Sequence, residues 1–87
     1  AFFSVSGVSP SDGLTEYTEE ESELLRAAIE MSRERILLND STKFGVVAFC
    51  RFAGIEAVHQ MITDWHITKK ELSYYTSMGI KVYCAAK

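Results

Sequence analysis

Short apolar, β-prone runs alternate along this chain with segments headed by helix-capping signals, and that alternation restricts the fold more than any other feature. Ala1-Phe2-Phe3-Ser4-Val5-Ser6 reads as a buried strand, and Gly7 to Gly13, with Pro10, Ser11 and Asp12 between them, carries turn chemistry and is expected as a loop. Thr18-Glu19-Glu20-Glu21 matches a capping box, in which the Thr hydroxyl accepts from a free backbone N–H and the Glu reaches back. The helix that follows has Leu24, Leu25, Ala28 and Met31 as its expected apolar face, acidic residues in its first turn, basic ones in its last, and an end near Glu34. Arg35 to Asn39 then reads as a buried strand closed by Asp40-Ser41-Thr42-Lys43. Val46 to Phe52 reads as a strand or an irregular extended piece, between which periodicity does not decide, with a strand favoured, and His59 to Thr63 as a further short apolar run closed by Asp64. Thr68-Lys69-Lys70-Glu71 is a second capping box, ahead of Leu72, Tyr75 and Met78, with Gly79 as the helix stop and Ile80 to Ala85 as the last strand.

Alternating strands and helices need crossover connections. The expected architecture is therefore α/β, a mostly parallel sheet flanked by helices, in one unit spanning residues 1–87. With 47% apolar and 24% charged residues, the chain is expected to pack and not to remain disordered. Its net charge of −3 and lack of a Lys/Arg cluster argue against a surface for phosphate backbones, so any contact with DNA falls to another segment. Cys50 and Cys84 form no C-x-x-C pair, sit in apolar runs, and are expected as buried, reduced thiols. His59 and His66 are expected to be structural or exposed, and no metal or cofactor is expected, since no metal-ligand spacing, GxGxxG, P-loop or nucleophile elbow is present. No apolar stretch approaches the roughly 20 residues that span a bilayer, and a cytoplasmic location is expected.

In a parallel sheet, ligands gather at the carboxyl ends of the strands, which puts Ser6-Gly7, Asp40 to Lys43, and Asp64 on one rim. Asp40, Ser41, Thr42 and Lys43 bring an acceptor, two hydroxyls and a cation within four residues, a set suited to a polyhydroxylated anion. Ser6 offers a hydroxyl to the same ligand and Gly7 an approachable backbone. Glu16, Glu19, Glu20, Glu21 and Glu23 read together as a solvated acidic helix start.

The order of these segments resembles the sensor domain of DeoR-family regulators. The likeness is carried by Phe2 to Val8, Asp12-Gly13-Leu14-Thr15, Glu21 with Arg26 to Glu30, Ile36 to Gly45, and Ile62-Thr63-Asp64. Its most specific part is Asp40-Ser41-Thr42-Lys43-Phe44-Gly45 after an apolar strand. The resemblance implies a sensor related in fold to ribose-5-phosphate isomerase and coenzyme A transferases, of which this chain is the C-terminal part. It also implies a winged helix-turn-helix and a first sensor half outside the chain, a phosphorylated sugar as effector, DNA as the target of the absent domain, a homo-oligomer, and a repressor of sugar utilisation. By that likeness Ser6, Asp40 and Lys43 are effector contacts; Gly7 and Ser41 join them from the rim. Many family members have Gly-Ala-Asp-Gly where this chain has Ser4-Val5-Ser6-Gly7, and Leu25 stands where Lys is common. Losing that carboxylate disfavours catalysis. The alternative is an isomerase-like enzyme with Glu21 or Asp40 as base.

Overall fold

Four of the apolar runs pair side by side in the computed structural model, which describes residues 1–85. They are β1 (Phe2–Phe3), β4 (Ile36–Leu38), β6 (Gln60–Thr63) and β7 (Lys81–Cys84), and they form a wholly parallel sheet in the order β1-β4-β6-β7. In this register Phe3, Leu37, Met61 and Val82 point to one face and Phe2, Ile36, Gln60 and Lys81 to the other.

A second sheet departs from expectation. Residues Gly7 to Gly13 are not a plain loop: β2 (Gly7–Ser9) folds back on β3 (Gly13–Glu16) as an antiparallel hairpin, and β5 (Cys50–Ala53) pairs antiparallel with β3. The architecture is thus α/β with a parallel sheet and a separate antiparallel one. The first apolar run also breaks after Phe3, because the backbone leaves the parallel sheet there to enter the hairpin.

Helix α1 (Glu19–Glu30) is capped by Thr18, whose hydroxyl accepts from the Glu21 N–H, and it packs against β3 and β5. Its inward stripe is Ser22 and Ile29, buried, with the partly buried Leu25; of the expected Leu24, Leu25, Ala28 and Met31 only Leu25 packs on the core, and Leu24, Ala28 and Met31 are exposed. The small sheet under the helix selects this stripe, and a serine is what fits against it at the first buried turn. The helix also ends earlier than expected, with no basic residue in its last turn. Arg35 supplies that cation from outside, donating from Nε to the Ile29 carbonyl at 2.9 Å.

Helix α2 (Lys69–Ser77) has the full reciprocal capping box between Thr68 and Glu71. It ends in a Schellman arrangement: the Gly79 N–H donates to the Thr76 carbonyl, and the Ile80 N–H to the Tyr75 carbonyl. Gly79 takes φ 88°, the left-handed geometry that a side chain resists. Ile80 and Tyr75, brought together by this turn, are both in the core. Tyr75 lies against Phe44 with ring centroids 5.5 Å apart, and burial pushes its phenol up to about 12.

The core fills the space between the inner face of the parallel sheet and everything else: Phe3, Leu37 and Met61 meet Val8, Leu14, Ile29, Phe52 and Tyr75 in one cluster. Among the described residues no helix covers the outer face, and Phe2, Leu38 and Tyr83 stand exposed on it. Right-handed crossovers account for this, because strands added in one direction across a sheet place all their connections on the same side. The thiols were expected to be buried and are not: Cys50 is half-buried and Cys84 exposed. Cys84 lies at the end of an edge strand, where no further strand shields it.

Burial sets the first test. Met61 is 1% exposed and Met31 88%, so in the intact protein Met61→Ala is expected to cost about 2–5 kcal/mol of stability and Met31→Ala about 0.5 kcal/mol or less. Denaturant unfolding of both variants measures the difference.

Candidate functional site

At the carboxyl ends of the parallel strands, side chains take over hydrogen bonds that the diverging backbones can no longer make. Asn39, just past β4, pairs with the main chain of Val5 as another strand residue would: its Oδ1 accepts from the Val5 N–H at 3.1 Å, and its Nδ2 donates to the Val5 carbonyl at 2.8 Å. Asp64, just past β6, accepts through Oδ2 from the Ser41 N–H and through Oδ1 from the His66 N–H, both at 2.9 Å. Asp40 accepts from the Thr42 N–H at 3.0 Å and from the Thr42 hydroxyl, capping the 3₁₀ turn Ser41–Lys43.

These bonds hold both carboxylates in their charged form. The Thr42 hydroxyl, then its N–H, keep Asp40 below the ordinary value of 3.8. The Ser41 main-chain N–H is the largest influence holding Asp64 below the same value. His66 Nδ1 lies 3.5 Å from Asp64 Oδ1 in an exposed position. Lys43 is half-buried and acts electrostatically on Asp40, yet among the described residues no carboxylate forms an ion pair with it.

Ser6 and Gly7 are drawn to the same region by the main chain. Val8 forms a parallel bridge with Phe44, and the Gly45 N–H donates to the Val8 carbonyl at 2.7 Å. That register sets Gly7 beside Lys43. Gly7 is itself buried, and a Cβ there would fall 2.3 Å from the Val46 carbonyl oxygen and 2.6 Å from Thr15 Oγ1. Only glycine fits so close an approach.

One residue here was missed by the sequence reading. Glu16 does not belong to the solvated helix start; it ends β3 and is 3% exposed. Its Oε2 accepts from the Ser6 N–H at 2.7 Å and its Oε1 from the Ser6 hydroxyl at 2.8 Å. The signal available was its place straight after Gly13-Leu14-Thr15, an extended run and not a capping position. Glu21, by contrast, is exposed and engaged with Thr18 in the helix cap. The Thr63 hydroxyl is buried at the end of β6 without a hydrogen-bond partner among the described residues.

Larger concavities lie elsewhere. A cleft of about 400 Å³, lined by Glu56, His59, Gln60, Met78 and Lys81 among others, opens at the amino ends of β6 and β7. That cleft also carries polar groups and a cation, but the carboxyl rim is where two carboxylates are oriented by main-chain N–H groups beside Lys43, and where ligands of parallel sheets gather. Among the described residues no three His, Cys, Asp or Glu side chains are grouped to hold a metal ion, and no helix is long and apolar enough to cross a membrane.

A family model described as the DeoR C-terminal sensor domain matches residues 1–65, which hold every rim residue named above except His66. The chain is also 30% identical over 84 residues to the HTH-type transcriptional regulator GolR of Listeria innocua. That alignment takes in 97% of this chain and 33% of the relative, so the chain spans about a third of the relative's length.

The rim's charge state can be followed by pH. Groups whose folded values are depressed contribute stability above their unfolded values and lose it as pH falls through the folded ones, here below about pH 4. Melting the intact protein across that range should show a decline in midpoint that Asp64→Asn makes shallower. An unchanged slope in the variant would show that the Ser41 N–H does not favour the charged form.

Proposed function

The chain belongs to the DeoR C-terminal sensor domain family, and from that premise we propose that it binds a phosphorylated sugar as the effector-sensing part of a cytoplasmic bacterial repressor. The observation that carries this reading is the half-buried Lys43, without an ion pair among the described residues, near Ser6-Gly7 and within a rim of oriented polar groups from Asp40 and Ser41. A cation without a carboxylate partner suits a phosphate or another anionic ligand group, while Ser6, Asp40 and Ser41 suit sugar hydroxyls. The description of the Listeria relative as an HTH-type regulator supports assigning DNA contact to a part of the protein other than this acidic chain.

The effector acts through differential affinity. A ligand that binds the DNA-competent and DNA-free forms equally moves nothing, so the rim must differ between them. The bare apolar face with Phe2, Leu38 and Tyr83 supports assembly with further protein, which agrees with a homo-oligomeric regulator. An isomerase-like reading has less support, since Glu21 is engaged in a helix cap and Asp40 in the Thr42 turn.

Thermal shift of the intact protein against hexose, pentose and sugar-alcohol phosphates tests the proposal. A binding phosphate at a hundredfold excess over its Kd should add about 2.7 kcal/mol of stability, and Lys43→Ala should remove most of the gain. Absence of a shift with every phosphate, or a full shift in Lys43→Ala, overturns it.

A further inference from the structure

Glu16 is a buried carboxylate with no ion-pair partner among the described residues. Carboxylates in such surroundings are costly unless hydrogen bonds replace their lost hydration. Both of the bonds recorded for Glu16 come from Ser6, one from its N–H and one from its hydroxyl. Ser6 itself is only partly buried and lies beyond β1, at the rim. The pair therefore has an inner charged member and an outer hydroxyl.

A serine hydroxyl has a single proton. Given to Glu16, that proton cannot be offered to a ligand, and Ser6 presents only lone pairs to the rim. An incoming O–H would complete a chain from ligand hydroxyl to Ser6 Oγ to Glu16, each link polarising the next. An anionic oxygen in the same place would face lone pairs backed by a negative charge. Two residues on, the Val8–Phe44 bridge brings this segment alongside the one that carries the cation Lys43.

We propose that Glu16 is a positioning residue of the effector site: by taking the Ser6 proton it makes Ser6 an obligate acceptor for a ligand hydroxyl and confines the ligand's phosphate to the Lys43 end. This rests on the effector reading above and adds an orientation to it.

Glu16→Gln tests the idea in the intact protein, because the amide keeps the size of the side chain and can still bond to both Ser6 groups while freeing the hydroxyl proton to turn outward. Calorimetric titration would compare the sugar phosphates of the panel with inorganic phosphate, in wild type, Glu16→Gln and Lys43→Ala. Glu16→Gln should weaken the sugar phosphate about tenfold, as expected for one hydrogen bond to a charged network, without weakening inorganic phosphate. Lys43→Ala should weaken both. Equal losses on both ligands in Glu16→Gln would indicate a merely structural role, and no loss on either would show that the carboxylate does not orient Ser6; each overturns the proposal. Should Glu16→Gln fail to fold, Ser6→Ala removes the outer hydroxyl alone and reads the same selectivity. If wild type binds no sugar phosphate at all, the effector reading itself falls, an outcome separate from a wild type that binds while its Glu16 variant is indifferent.

Discussion

Parallel strands cannot be joined by a tight turn, and the rest of this molecule follows from that. Each link between β1, β4, β6 and β7 must travel back along the sheet, and right-handed links taken in one direction across it all fall on one side. The hairpin, both helices and β5 consequently share the inner face, and the core forms there around Leu37, Met61 and Tyr75. The same arrangement brings all four carboxyl ends to one rim and leaves the other face bare.

The rim is an answer to a problem of hydrogen-bond supply. Where the strands end, main-chain groups lose their ladder partners while still partly shielded from water, and unpaired groups in that setting are unfavourable. Asn39 continues the ladder to Val5, Asp64 receives the Ser41 N–H, Asp40 receives that of Thr42, and Glu16 receives that of Ser6. Three carboxylates are thereby oriented by the backbone, while among the described residues Lys43 forms no ion pair. A rim built in this way is stiff in its acceptors and has a cation to spare, an arrangement suited to an anion that carries hydroxyls.

Legibility followed the strength of local signals. The Thr68–Glu71 capping box, the Thr18 cap, the Gly79 stop and the four parallel strands could be read directly, because caps and short β-branched or aromatic runs act over a few neighbouring residues. The Thr18–Glu21 box expected at the first helix is only half formed, since Glu21 accepts from the Thr18 hydroxyl and not from its backbone N–H. The hairpin was not legible: β2 is only three residues long, all buried, and lacks the alternation that marks a half-exposed strand. The face of α1 was misread for a related reason, since Leu24 and Met31 satisfy helical spacing as well as Ser22 and Ile29 do, and only the sheet beneath decides which stripe is inside. Glu16 was grouped with its acidic neighbours because charge patterning carries no information about burial.

The family and the chemical character of the rim were within reach of the sequence alone, since Asp40 to Gly45 and its spacing from Gly13-Leu14-Thr15 are local patterns that survive without coordinates. Only the tertiary structure decided that Ser6 answers to Glu16, that Gly7 is glycine because the Val46 carbonyl fills its side-chain space, and that one sheet face is bare. Each depends on segments distant in the chain meeting at a particular register, and register is settled by packing of the whole core, not by any residue's own preference.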